Sequence, residues 1–289
     1  MKRIIVLLSA IFLLFMFTGC RVLDGSVVSY SWADRYQTGD AILNTPVHDV
    51  KIHWISGNVE IRSSTENSVS ISETGNRYLS DDLIVHYWLD GTTLYIEPCA
   101  SGAVYPDTLE KELTVFLPKD CLQSLQVNSV SSNAALKKLT AETVVFHSVS
   151  GECNLESCDF SQLLEVRTTS GGLYGSLVGK LENLEFNSVS GSVSLEAETV
   201  DHAAFETTSG SVMLTIEESP QTLDHRSVSG GITVTLPETT SFMLEFKTVS
   251  GSFYCDIPHT TRGETYIVGS GGNRYTVHTT SGNVIIRKK

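Results

Sequence analysis

The sequence has little of what catalytic or nucleic-acid-binding proteins depend on. Only 18% of its 289 residues are charged, and 20 Lys and Arg stand against 33 Asp and Glu, a net charge of −13. Nucleic-acid phosphates repel such a chain, so no nucleic-acid partner is expected. The chain also lacks a Cys-x-x-Cys pair, a histidine spacing of zinc-site type and a Gly-x-Ser-x-Gly elbow. We therefore expect neither a cofactor nor enzymatic activity.

Cysteine is also scarce, and the six residues are unevenly spaced. Beyond Cys20 an odd number remains, which is no disulfide framework, although one or two pairs can form outside the cytoplasm. The sequence leaves pairing open for Cys99, Cys121, Cys153, Cys158 and Cys255.

The N-terminus carries a secretion signal rather than part of the fold. Lys2 and Arg3 precede an uncharged, mostly apolar run of 14 residues, which is short for a membrane-spanning helix but typical of a signal peptide. The following Phe17-Thr18-Gly19-Cys20 resembles a bacterial lipobox, in which the cysteine is lipidated and becomes the mature N-terminus. We predict a lipoprotein signal peptide over residues 1–19 and an extracytoplasmic chain anchored by a lipid on Cys20. The alternative is an ordinary signal peptide with Cys20 incidental.

What the chain does have is a short motif that recurs. Ser148-Val149-Ser150-Gly151 has near-copies that end at Gly171, Gly191, Gly210, Gly230, Gly251 and Gly282. From Gly151 to Gly251 the glycines are 20, 20, 19, 20 and 21 residues apart. A fixed period of this length is typical of stacked repeats, and it predicts an all-β fold, a parallel β-helix or solenoid with rungs of about 20 residues.

Each rung reads as two short strands joined at the Ser-Gly. Apolar residues stand seven and five positions before the glycine and two and four positions after it. These two sets cannot share one unbroken alternation, so a corner must separate them, and we expect glycine there for the backbone angles it tolerates. Stacked Ser and Thr hydroxyls should bond backbone groups at this corner. So short a rung favours a flattened, two-sheet solenoid.

The period also divides the chain. We expect a tether over residues 20–45 and a β-solenoid over residues 46–289. Within the solenoid, residues 62–124 lose the period and read as an irregular, strand-rich antiparallel cap. Residues 125–289 are the regular rungs, and the basic tail Arg287-Lys288-Lys289 is expected to close the far end of the stack.

Three stretches carry a resemblance to a known family: the Thr/Ser-Val-Ser-Gly-x-Val-x-Leu rungs, Gly269-Ser270-Gly271-Gly272-Asn273, and the closing Ser281-Gly282-Asn283-Val284-Ile285-Ile286. They resemble the bacterial putative-adhesin family of β-strand-repeat envelope proteins, over roughly Val47 to Lys289. The resemblance implies an extracytoplasmic β-solenoid, often membrane-linked, without established catalytic residues. Two departures are Ser132 in place of a glycine and Gly175 in an otherwise apolar column.

One outward column could hold a cation. Six residues before the glycine stand four acids: Glu165, Glu185, Asp224 and Glu245. Like charges stacked at strand spacing repel, and a divalent cation such as Ca²⁺ could bridge them. The column two residues on is partly basic, with Arg167, Arg226 and Lys247, and this favours a charge-paired face without a metal.

Three further features could bind a ligand or take part in catalysis. Tyr174 and Tyr254, three residues after their glycines, should face outward and could stack on sugars. Gly269-Ser270-Gly271-Gly272 could cradle an anion, but without a following Lys or helix start a turn is favoured. Acids next to arginines could serve a polysaccharide-active enzyme, but their regular repetition favours surface pairing; the pairs are Asp224 with Arg226 and Glu165 with Arg167.

We therefore predict a lipid-anchored cell-envelope β-solenoid that acts as a non-catalytic, adhesin-like binding or structural module. It contacts the membrane through the lipid on Cys20, and its further partner is a protein or glycan at the cell surface. Two alternatives stay open: an envelope-stress signalling component that binds a membrane protein, and a polysaccharide-active enzyme of β-helix type.

Overall fold

The computed structural model describes residues 26–289, so the predicted signal peptide and Cys20 lie outside the described residues. The N-terminal part contains a 3₁₀ helix at Ala33–Arg35 and ten strands: β1 (Ser26–Val27), β2 (Gln37–Thr38), β3 (Ala41–Leu43), β4 (Asp49–Trp54), β5 (Gly57–Ser64), β6 (Val69–Gly75), β7 (His86–Asp90), β8 (Thr93–Glu97), β9 (Val104–Tyr105) and β10 (Lys111–Pro118). The repeat region contains fifteen: β11 (Ser124–Ser129), β12 (Asn133–Lys137), β13 (Thr140–Ser148), β14 (Cys153–Thr168), β15 (Leu173–Ser188), β16 (Val193–Thr207), β17 (Val212–Glu218), β18 (Thr222–Ser227), β19 (Ile232–Leu236), β20 (Phe242–Lys247), β21 (Phe253–Cys255), β22 (His259–Arg262), β23 (Thr265–Val268), β24 (Asn273–His278) and β25 (Val284–Lys288). In the part of the chain that the structure describes, no helix has the length and hydropathy to cross a membrane.

The strands stack in two sheets that face each other across one core. Sheet I holds the strand before each Ser-Gly corner, in the spatial order β2-β7-β8-β4-β11-β13-β14-β15-β16-β18-β24-β20-β23-β22. Sheet II holds the strand after it, in the order β3-β6-β10-β5-β12-β14-β15-β16-β17-β19-β25-β21. Strands β14, β15 and β16 bend through both sheets. The predicted all-β solenoid is confirmed, in its two-sheet form.

The core follows from the alternation within each strand. Inward residues of successive rungs are register partners, so that Leu164 lies opposite Leu184, and both are buried. Stacking therefore covers apolar faces that a single two-stranded rung would leave exposed. One inward column contains a buried histidine, His225, which lies between Phe205 and Val277.

The described part of the predicted tether is docked on the domain. Strand β1 pairs with β9, β2 with β7 and β3 with β6, all antiparallel. Aromatic packing holds the segment as well, because the ring of Tyr36 lies 4.6 Å from that of Tyr30 and 5.8 Å from that of Trp88. Residues 26–43 of the predicted tether thus pack on the domain, and residues 20–25 lie outside the described residues.

The region from residue 62 to 124 extends both sheets. Strand β6 is antiparallel to β10, and β7 is antiparallel to β8. However, β10 is also parallel to β5, and β8 is parallel to β4. The region is thus a mixed continuation of the solenoid, with antiparallel pairs at its outer side.

The end of the chain is not the end of the stack. Strand β24 lies between β18 and β20, and β25 lies between β19 and β21, so the last rung is inserted between two earlier ones. The expectation that the basic tail closes the far end is therefore wrong. The hairpin β22–β23 covers that end instead, where the rings of Tyr266 and His259 lie 3.9 and 5.5 Å from that of Phe253.

Candidate functional site

The Ser-Gly corner is a ladder of internal hydrogen bonds. In six copies the Ser or Thr three positions before the glycine accepts a hydrogen bond from the glycine N–H at 2.7–2.9 Å. The same hydroxyls donate to a carbonyl of the neighbouring rung at 3.3–3.5 Å, as from Thr168 Oγ1 to Val149 O. The hydroxyls at this position are thus occupied by the fold itself, as the sequence predicts.

The glycines of this ladder are required for space. A Cβ on Gly191 would lie far inside van der Waals contact with the carbonyl oxygen of Gly171, and each later glycine meets its neighbour in the same way. None of the repeat glycines from Gly151 to Gly282, all within the described residues, has a positive φ. The expectation of special backbone angles is therefore wrong for these positions; the rungs approach too closely for a side chain.

The acidic column does not bring its four members together. Glu165 lies opposite Glu185. Ala204 then separates Glu185 from Asp224, and Thr276 separates Asp224 from Glu245. The carboxylate of Glu165 contacts His147 Nε2 at 2.7 Å and Arg167 Nε at 2.9 Å, and that of Glu245 pairs with Lys247. Within residues 26–289 no group of three or more His, Cys, Asp or Glu is placed to hold a metal ion. This geometry favours the charge-paired face.

The predicted acid–arginine pairs lie on the same outward face of sheet I. Glu165 and Arg167 bond each other along one strand. Asp224 and Arg226 lie opposite Thr276 and His278 of the inserted rung, so no second carboxylate faces Asp224 there. Glu165 has Glu185 as its register partner, but the Glu165 carboxylate is already bonded to His147 and Arg167. Neither predicted pair therefore presents the two free carboxylates that glycoside hydrolysis uses.

Tyr174 and Tyr254 stand in one outward column of sheet II but five rungs apart. The Tyr174 hydroxyl folds back over Gly172, and burial raises the pKa of this phenol. Tyr254 is 60% exposed, and its bond to Asp256 raises its pKa. The register partners from one tyrosine to the other form a column that we call the outer stripe: Tyr174, Ser194, Met213, Thr233, Ile285 and Tyr254.

The glycine-rich segment Gly269–Gly272 forms a turn, which is the alternative that the sequence favours. Gly269 and Gly271 have φ of 57° and 74°, and the Gly271 N–H bonds Val268 O at 3.1 Å. The Gly272 N–H bonds Ser241 Oγ at 3.1 Å, so two of its amides are already used. The turn borders an open cavity of about 390 Å³ whose other walls lie far away in sequence, which is why the sequence alone does not point to it.

Comparison with known proteins agrees with this geometry. Residues 47–287 match the Toastrack DUF4097 family. The chain belongs to this family. The Toastrack match covers the same span as the predicted family resemblance, which is thereby confirmed. None of the curated proteins matches the chain.

Solved structures resemble the chain at low sequence identity. A "putative adhesin" from Bacteroides fragilis is 12% identical, covering 88% of this chain and 97% of that chain, with a TM-score of 0.52. A "putative lipid binding protein" from Parabacteroides distasonis is 16% identical, covering 88% and 97%, with a TM-score of 0.47. A "putative cell adhesion protein" from Clostridium sporogenes is 13% identical, covering 88% and 100%, with a TM-score of 0.28. At sequence identities this low, the similarity is evidence about the fold and not about function.

The five cysteines of the Toastrack domain carry free thiols. Cys99, Cys153 and Cys158 are buried, and burial raises the pKa of the Cys99 thiol to about 12. Thiols of this kind are poor nucleophiles, because the thiolate is the reactive form. The three buried residues therefore serve as small core side chains.

The sequence did not reveal a buried ion pair near the N-terminal end of the Toastrack domain. Lys111 Nζ contacts the Glu73 carboxylate and donates to Leu83 O and Pro98 O, both at 2.6 Å. Burial lowers the pKa of Lys111 and raises that of Glu73, and each partner opposes the shift of the other. Three acceptors match the three N–H groups of an ammonium, so the pair has a structural role.

Proposed function

We propose that the protein is a lipid-anchored, extracytoplasmic module that binds a protein or glycan partner at the cell envelope without catalysis. The observation that supports it best is an uncharged column on an otherwise charged surface. Ion pairs lie on sheet I, as between Glu165 and Arg167, and on the N-terminal part of sheet II, as between Glu60 and Lys137. The outer stripe, by contrast, is uncharged from Tyr174 to Tyr254.

The outer stripe has the composition of a recognition surface. Met213 is 56% exposed and Tyr254 60%, and Ile285 lies between them in the column through Thr233. Aromatic residues and methionine are enriched in protein interfaces, and tyrosine stacks on sugars. A rigid strand column fixes the spacing of these side chains, so little ordering is needed on binding.

Matched substitutions on the two faces test the binding proposal. Met213→Glu places a charge in the outer stripe, while Met243→Glu places one on sheet I, where the methionine is 43% exposed. We expect Met213→Glu to weaken the binding of the labelled mature chain to isolated envelopes of the source organism by about tenfold, and Met243→Glu to leave it unchanged. Equal binding by all three proteins would rule out the outer stripe.

The anchor is a separate part of the proposal. It is supported by Lys2, Arg3, the apolar run and the lipobox-like Phe17-Thr18-Gly19-Cys20. The mature part has a net charge of −15, so a lipid rather than a basic patch would hold it at the membrane. We expect Cys20→Ser to abolish labelling with a fatty-acid analogue and to release the chain from the membrane fraction, with Cys121→Ser as the control. Unchanged retention of Cys20→Ser would refute the anchor.

A further inference from the structure

The open cavity lies at the edge of the solenoid opposite the Ser-Gly corner, where three turns converge. In β14, β15 and β16 the chain passes this edge as continuous strand. The two following rungs carry Pro220 and Pro237 at this edge, and proline has no N–H to continue the ladder. The inserted last rung then brings the Gly269–Asn273 turn against the gap. The cavity volume of about 390 Å³ is within the range of small-molecule sites.

Most of the residues that line the cavity have polar side chains, and Pro237 is an apolar one. The cavity is lined mainly by hydroxyl, carboxamide and carboxylate groups: Ser219, Thr239, Thr240, Ser241, Ser270, Asn273, Glu217 and Glu218. Several of them hold each other in place. Ser219 Oγ contacts Thr240 Oγ1, Ser241 Oγ lies 2.9 Å from Ser270 Oγ, and Asn273 Nδ2 donates to Ser219 O at 3.4 Å. A hydroxyl has one donor and two acceptor positions, so these contacts leave acceptor positions free.

A buried phenol stands behind this wall. Tyr275 is 1% exposed, and its ring stacks on Phe242 with centroids 4.6 Å apart. Its hydroxyl lies near the side chains of Ser219, Thr240 and Asn273, but no described group meets hydrogen-bond geometry with it. Buried polar groups in proteins are normally bonded, so this hydroxyl keeps an unused donor behind the residues that line the cavity.

The charges at the cavity exclude several ligand classes. Two carboxylates, Glu217 and Glu218, line it, and Lys289 pairs with Glu217. No cationic side chain lines the cavity, so a phosphate or an anionic sugar would be repelled. The described residues also provide no cluster of three or more metal-binding side chains.

We propose that this cavity binds a neutral saccharide unit. Sugar hydroxyls both donate and accept, so they match a wall of hydroxyls, a carboxamide and carboxylates. The site lies away from the outer stripe and does not depend on the proposed binding face.

Ligand-observed NMR and calorimetry on the mature full chain test the proposal. The probes are glucose, galactose, N-acetylglucosamine and the β-linked disaccharides of each. We expect saturation transfer to at least one of them. Asn273→Ala, which removes one polar group from the wall, should weaken its binding about tenfold, and Ser270→Trp, which fills the cavity from an exposed turn, should abolish it.

Controls separate this site from the outer stripe. Met213→Glu should bind the same probe as wild type, and the thermal unfolding midpoints of Asn273→Ala and Ser270→Trp should stay close to that of wild type. The proposal is overturned if none of the probes binds wild type, or if binding is undiminished in folded Ser270→Trp. Loss of binding in Met213→Glu alone would place the sugar on the outer stripe and overturn it as well.

Discussion

At the scale of single residues, the Ser-Gly corner depends on a hydroxyl rather than on side-chain size. Thr168 is fully buried, accepts the Gly171 N–H at 2.8 Å and donates to Val149 O at 3.3 Å. Thr168→Val keeps the shape but leaves that N–H without its acceptor, which should cost about 1–3 kcal/mol in the free energy of unfolding. Thr168→Ser, the residue found at Ser148 and Ser188, is the control and should cost less. Urea denaturation measures both, and equal losses would contradict the hydroxyl's role.

A second prediction concerns His225, which replaces an apolar residue in an inward column. Its Nε2 lies 3.3 Å from Gly230 O, its Nδ1 has no partner among the described residues, and burial lowers its pKa. Below about pH 6.5 the unfolded chain therefore takes up a proton that the folded chain resists. This contribution to stability is fully present above that pH and is lost as the pH falls toward the folded-state pKa, by at most about 1.4 kcal/mol per pH unit.

Phenylalanine at position 225, as at Phe205 in the adjacent rung, should remove this dependence. We expect the free energy of unfolding of His225→Phe, minus that of wild type, to increase from pH 7 to pH 5. A difference that stays constant over this range would show that His225 does not titrate as its burial predicts.

Side-chain alternation could be predicted from the sequence, but the reason for the glycines could not. Alternation at Leu164 and Leu184 is a local property, visible in one strand. By contrast, position 191 must be glycine because the carbonyl oxygen of Gly171 in another rung leaves no room for a Cβ. Neither segment of sequence reveals how closely the two rungs approach. Glycine more often stands at a corner because it tolerates a positive φ, but the repeat glycines do not have one.

At the scale of elements, the order of the rungs could not be predicted because the rungs resemble one another. The position beside β18 and β19 would accept any pair of strands that alternates apolar and polar residues in the same way and is joined by the same Ser-Gly corner. The excess residues between Gly251 and Gly282 mark where the order changes, but they do not say in which direction. The cavity was hidden for the same reason, since its walls meet only after the last rung is inserted.

The last rung occupies a position that β20 and β21 could also take. Strand β21 pairs only with β25 among the described strands, and β20 pairs with β24 and β23. Truncation after Gly272 removes β24 and β25 and leaves the position beside β18 and β19 open to β20 and β21, which have the same alternation. We therefore expect hydrogen exchange to show retained amide protection over residues 242–255. Loss of protection there, with β14 and β15 still protected, would show that β20 and β21 depend on the last rung.

At the scale of the whole molecule, the solenoid should tolerate the loss of a complete rung. Stability of a stacked repeat is a sum of rungs and nearest-neighbour contacts, so no rung depends on a distant one. Deletion of residues 172–191 removes one rung and leaves β14 to pair with β16. Leu164 and Cys153 would then face Ala203 and Val193, which keeps both inward columns apolar.

We expect this deletion variant to fold cooperatively and to be shorter by about 4.8 Å, the spacing between neighbouring strands. Its urea m-value should fall, because less surface is exposed on unfolding. The matched control is deletion of residues 172–181, half a rung, which would carry the chain into the wrong sheet and should prevent folding. Circular dichroism, urea denaturation and small-angle scattering distinguish the outcomes. If both deletions unfold the protein, the rungs are not interchangeable units, and its stability depends on more than contacts between neighbours.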